Sequence, residues 1–215
     1  RFMADTGIKG AAWFELPAHK FRVRNPQQHR CLSTCDIEVD IDWRHIIAHE
    51  PDEDARWMKI APIRTLSLDI ECASQVPGSF PIAERDPVIQ IANCVQYATS
   101  CTKLTKHKDK INDDYLFVKN VFTLDTCTPI IGAEVFSFPD ERQMLIAWME
   151  FVLSVDADII VGYNTTNFDI PYLLARAAVL GIASTANCWS RLRNQVLQSR
   201  EKTFESNAYG RRVNK

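Results

Sequence analysis

Arg64-Thr65-Leu66-Ser67-Leu68-Asp69-Ile70-Glu71-Cys72 is the stretch on which the fold turns. It is short and largely apolar, with Pro62 before it and a Pro/Gly segment after it, which predicts a buried β-strand. Side chains on a strand repeat every two residues, so Asp69 and Glu71 project from the same face. Two carboxylates about 7 Å apart along one strand repel each other and cost desolvation. A cation offsets both penalties, so the stretch predicts a metal site.

Downstream, residues 73–86 contain Pro77, Gly78 and Pro81 and read as a loop, followed by an apolar strand over 87–95. Residues 99–114 are polar, with Lys103, Lys106, Lys108 and Lys110 spaced along them, and read as a solvated hairpin insertion in which His107 has no role. Residues 115–118 and 121–124 predict a third strand. Over 139–155 the period changes: Met144, Trp148, Phe151 and Val155 recur at helical spacing, with Leu145 and Val152 widening the stripe. Pro139 and Asp140 mark the start of that helix. A short apolar strand over 158–162 and a second helix over 169–180 complete the pattern, with Ile170, Leu173, Leu174, Ala177 and Leu180 inward and Gly181 as the stop. Three strands close in sequence predict an antiparallel meander. The helix after the third allows a crossover that lays the fourth strand parallel to the first.

Upstream, residues 1–62 lack helical periodicity and form a first region, with a boundary near residue 62. Short strands are expected around Trp13–Leu16 and Phe21–Arg24, and a half-buried strand over 35–43 with Ile37, Val39 and Ile41 inward. That last strand has its own Asp36-Ile37-Glu38. Its acids continue through Asp40 and Asp42, so they predict a solvated acidic face and no site. The acidic stretch 49–54 reads as a loop.

The chain has 215 residues, 46% hydrophobic and 24% charged, as expected of a folded protein. A net charge of −2 excludes a global basic field, so any nucleic-acid contact must be local. Seven cysteines without Cys-x-x-Cys spacing or a signal peptide predict free thiols in a reducing compartment, hence an intracellular, soluble protein. No apolar run reaches membrane-spanning length. Both ends read as cut from a longer chain.

The second half of the site is Gly162-Tyr163-Asn164-Thr165-Thr166-Asn167-Phe168-Asp169-Ile170-Pro171, at the turn from the fourth strand into the second helix. Asp169 is taken with Asp69 and Glu71 as a set of hard oxygen ligands suited to Mg²⁺ or Mn²⁺. Leu68-Asp69-Ile70-Glu71 resembles the first exonuclease motif of the family B DNA polymerases, and Tyr163-Asn164-x-x-x-Phe168-Asp169 resembles their second. Glu84-Arg85-Asp86-Pro87-Val88-Ile89-Gln90-Ile91 and Ile170-Pro171-Tyr172-Leu173 narrow the likeness to the eukaryotic delta-type branch. It covers nearly the whole chain.

The resemblance implies an α/β fold: an RNase H-like (DnaQ-like) exonuclease sheet in residues 63–215, incomplete at its carboxyl end, preceded by part of a β-rich amino-terminal domain in residues 1–62. It implies removal of mispaired 3′-terminal nucleotides by two-metal hydrolysis, with the ions about 3.5–4 Å apart. On that pattern Asp69 bridges both Mg²⁺ (or Mn²⁺) ions, Glu71 binds the first and holds the attacking water, and Asp169 supports the second. Asn164 and Phe168 shape the pocket for a frayed, single-stranded DNA 3′ end. The family also implies a nuclear enzyme that synthesises DNA, with accessory subunits and a sliding clamp as partners.

Two departures stand out. Leu68 replaces the family's usual Phe, and the third exonuclease motif, Tyr-x-x-x-Asp, has no match. The segment alone is therefore expected to hold an incomplete site. A competing expectation is a DNA-binding or structural module whose acids no longer catalyse. The tail favours some nucleic-acid contact, with seven basic residues (Arg191, Arg193, Arg200, Lys202, Arg211, Arg212, Lys215) against Glu201 and Glu205. A solvated end explains the tail equally well. An unrelated RNase H-like nuclease is a third reading.

Overall fold

The computed structural model describes residues 1–98, 117–200, 202–206 and 210–214. The lysine-rich stretch with His107, and the expected start of the third strand at 115–116, lie outside them. Two compact units are present: Arg1–Pro62 with Arg191–Arg193, and a second unit from Ile63 onward.

The first unit contains helix α1 (Phe2–Thr6) and strands β1 (Phe14–Glu15), β2 (Phe21–Val23), β3 (Val39–Ile41) and β4 (Ile47–Ala48). β1 pairs with β4 and β2 with β3, both antiparallel. The strand expected over 35–43 shrinks to three residues, and Ile37 is 70% exposed, not inward. The cause is Glu38. Its carboxylate accepts the backbone N–H groups of Leu32 (2.9 Å) and Ser33 (2.6 Å) and the Ser33 hydroxyl (2.7 Å). It thus holds a turn together and does not face solvent as expected.

In the second unit β5 (Ile63–Cys72) lies within a five-stranded sheet. Its neighbours are β6 (Val88–Ala98), β7 (Phe117–Leu124), β8 (Glu134–Phe138) and β9 (Ile159–Val161), in the order β8-β7-β6-β5-β9. β5, β6 and β7 form the antiparallel meander, and β9 runs parallel to β5. The sequence reading missed β8, which pairs parallel to β7. Five alternating residues next to a helix start are a weak signal on their own.

Three helices follow: α2 (Glu141–Val155), α3 (Asp169–Val179) and the short, unanticipated α4 (Ala183–Ala186). The core fills the space between one face of the sheet and these helices. Leu66, Leu68 and Ile70 of β5 point into it, against Met144 and Trp148 of α2 and Leu173 of α3. Buried Asn93 is tied down there, receiving the Trp148 indole N–H at 3.0 Å and donating to Asn120 at 3.0 Å. At the end of the chain β10 (Lys202–Ser206) pairs antiparallel with β11 (Gly210–Asn214), a hairpin that the sequence reading did not anticipate. Among the described residues six cysteines are free, and no helix is long and apolar enough to cross a membrane.

Candidate active site

The alternation on β5 sorts its side chains as the period demands. Leu66, Leu68 and Ile70 are buried, while Asp69 and Glu71 are exposed on the opposite face. Across the ladder Asp69 faces Ala92 and Glu71 faces Gln90, so no cation from β6 neutralises either.

β9 covers β5 only from Thr65 to Ser67. Beyond that point the chain peels away at Gly162, and the edge of β5 lacks a strand partner. A Cβ at Gly162 would stand 2.5 Å from the Leu68 carbonyl oxygen and 2.0 Å from Thr165 Oγ1, so glycine alone permits this close exit. The turn that follows is built by Asn164, which adopts a left-handed φ of 57°. Its carbonyl accepts the N–H groups of Asn167 (3.0 Å) and Phe168 (2.9 Å), and its side chain accepts from the Asn167 amide at 3.0 Å. Phe168 is half-buried, its ring 5.3 Å from Tyr172 and edge-on to Phe80 at 4.9 Å.

The turn delivers Asp169 to the exposed edge of β5. Asp169 Oδ1 accepts the Ile70 backbone N–H at 3.1 Å, across 99 positions of sequence. A side chain thus takes the place of a strand neighbour, at the residue between Asp69 and Glu71. Asp169 is 1% exposed, and its Oδ2 has no hydrogen-bond donor among the described residues. Burial raises its pKa above the ordinary value. Its own N–H and that of Ile70 oppose the rise, and the nearby Asp69 charge adds to it.

The structure therefore brings Asp169 to β5 at Ile70, while Asp69 and Glu71 both stay exposed on the strand face. Among the described residues no three His, Cys, Asp or Glu side chains are gathered closely enough to hold a metal as they stand. The donor set nevertheless suits a hard cation. It offers carboxylate oxygens, one of them buried and unpartnered, where a positive charge relieves both the burial of Asp169 and its repulsion with Asp69.

Sequence reasoning missed the residues that hold the scaffold. Asp86 is fully buried and accepts the Gln75 and Ile82 N–H groups (both 3.0 Å) and Arg85 Nε and Nη2 (2.8 and 2.9 Å). Arg85 beside it holds its carboxyl well below the usual range, with the two N–H donors helping. Glu141, at the start of α2, receives Arg176 Nε and Nη2 at 2.8 Å each and the Val88 N–H at 2.9 Å. Arg176 also donates to the Ala83 carbonyl at 2.8 Å. One clue was available: Arg176 falls on the inward stripe of α3, beside Tyr172, Leu173 and Ala177, where a charge needs a partner.

Residues 1–214 match the family model for the exonuclease domain of family B DNA polymerases. The chain is 45% identical over 215 residues to the DNA polymerase delta catalytic subunit of Candida albicans, covering all of this chain and 19% of that protein. Against the subunit of the same name from Drosophila melanogaster it is 43% identical over 216 residues, covering 97% of this chain and 18% of the other. Among solved structures, the family B DNA polymerase of Pyrobaculum calidifontis matches 88% of this chain and 18% of its own, with a TM-score of 0.54 at 24% identity. The chain thus spans less than a fifth of the relatives it matches.

Proposed function

Because the chain belongs to the family B DNA polymerases, as their exonuclease domain, we propose that it is the proofreading 3′-5′ exonuclease region of a replicative polymerase. The mixed α/β sheet and its likeness to a family B polymerase support an RNase H-like architecture for it. The observation that carries the reading is the meeting of Asp169 with Ile70, between Asp69 and Glu71, with a buried carboxylate oxygen left over.

In this reading Asp69, Glu71 and Asp169 hold two Mg²⁺ or Mn²⁺ ions, which supply activation of water and stabilisation of the departing 3′ oxygen. The chain's own residues do the rest. Asp169 is fixed in direction by the Ile70 N–H, and Asp69 and Glu71 by the pleat of β5. Asn164 sets the turn that places Phe168 and Asp169 together, and Asn164 and Phe168 shape the pocket for a single-stranded or frayed DNA 3′ end. The delta-type relatives support a nuclear enzyme that also synthesises DNA, working with accessory subunits and a sliding clamp.

In the full-length polymerase carrying this chain, Asp69→Ala or Asp169→Ala is expected to lower excision of a mispaired 3′ nucleotide by more than about a hundredfold. That exceeds the usual effect of losing an outer-sphere partner of a metal. Primer extension should persist. Equal loss of both activities would refute the assignment. A second reading, a module whose acids no longer catalyse, is favoured because no three acids are gathered closely enough to hold a metal among the described residues. It predicts that neither substitution changes excision.

A further inference from the structure

We propose that His49 is a proton-operated catch: charged, it fastens the connecting segment 50–57 to strands β1 and β4 of the first unit, and neutral, it lets one of two fastenings go. His49 directly follows β4, and its backbone N–H donates to the Trp13 carbonyl at 3.0 Å, beside the β1–β4 pairing. Its side chain is 14% exposed, and its ring stacks on Trp57 with centroids 3.9 Å apart and planes 10° from parallel. Nδ1 lies 3.3 Å from Glu53 Oε2, and Nε2 lies 3.3 Å from Glu15 Oε2. The ring is thus held between two carboxylates, one in the segment and one on β1.

The charge on His49 follows from that geometry. An ionised carboxylate only accepts hydrogen bonds, and a neutral imidazole has a single N–H. Both contacts are hydrogen bonds only when both ring nitrogens carry protons. Loss of one proton sets a lone pair against a negative oxygen, and that side must open. Imidazole is the side chain whose charge changes between about pH 5 and 8. The other charges around it have partners of their own. Glu50 pairs with Lys9 at 2.7 Å, Asp52 also acts on Lys9, and Arg56 pairs with Asp54 at 3.0 Å, its guanidinium 5.3 Å from the Trp57 ring centroid. Further along, the Trp13 indole N–H donates to the Lys59 carbonyl at 2.6 Å, a fastening with no titrating group. The chain runs from β4 to β5 through this segment, so the catch sets the freedom of the stretch that joins the two units.

The test follows amide hydrogen exchange of the full-length polymerase by mass spectrometry at about pH 5.5 and about pH 8, either side of the imidazole range. Rates are divided by those of an unstructured peptide of the same sequence, which removes the chemical effect of pH. The peptides to watch carry the amides of Glu53 and Trp57, which donate to the Glu50 and Asp54 carbonyls at 3.2 and 2.9 Å. Wild type is expected to protect them about two- to fivefold better at the lower pH, the size of an ion pair between partly exposed partners. His49→Gln, which cannot take up a proton, should lose the difference. Glu15→Gln combined with Glu53→Gln should lose it as well while keeping His49, because a neutral amide pairs with either form of imidazole. Equal protection of wild type at both pH values overturns the proposal. So does a pH difference that survives in His49→Gln, or in the double variant should His49→Gln fail to fold.

Discussion

Asp169 is both a structural acceptor for Ile70 and a buried negative charge, and the two roles separate on substitution. A carboxyl whose folded pKa is raised contributes stability fully below the ordinary aspartate value of about 3.9. That contribution is lost as pH climbs through the raised value. Wild-type chain in chelator is therefore expected to lose stability over that window, and Asp169→Asn, which keeps an acceptor for Ile70, to flatten the loss. Thermal melts across the pH range check this, and added Mg²⁺ should raise the wild-type melting temperature alone. Asp86 runs the other way. Its depressed pKa gives stability above the ordinary carboxylate range that is lost as pH falls below it, so Asp86→Asn should give a shallower acid limb and a lower melting temperature at neutral pH. At Gly162 an added methyl group meets a backbone oxygen that cannot move cheaply. Gly162→Ala should cost about 1–3 kcal/mol in urea denaturation and displace Asp169 enough to depress excision.

At the scale of elements, β5, α2 and α3 were legible in the sequence because each carries a sustained period over ten or more residues. The start of α3 was legible too, from Asp169 and Pro171. The strand over 35–43 was misread because alternation alone says nothing of a side chain such as Glu38 that bends back to cap a turn. The Arg176–Glu141 pair was invisible because its partners lie 35 positions apart and neither belongs to a local motif. Both side chains are less than a tenth exposed, so removing one strands the other charge. Arg176→Met or Glu141→Gln alone should cost about 3–5 kcal/mol, while the double replacement by leucine should recover most of it, as a double-mutant cycle in urea would show.

At the scale of the whole molecule the two units differ in how much they bury. No residue from 1 to 62 is buried, whereas the second unit has a continuous core from β5 to α3. Native-state hydrogen exchange should accordingly find the slowest amides in β5, β6 and α2, and fast exchange in β2 and β3. Reversed protection would contradict this division. The candidate site was only half legible: the sequence nominates Asp69, Glu71 and Asp169, but the meeting of Asp169 with Ile70 depends on where β9 stops, which no local pattern encodes. That early stop has a consequence for how the chain can vary. Two more paired residues on β9 would be an ordinary repair for a frayed sheet margin, yet they would occupy the seat that Asp169 now holds. The margin must stay ragged for the acid to reach it, so here the most economical sheet and the most useful one are different sheets.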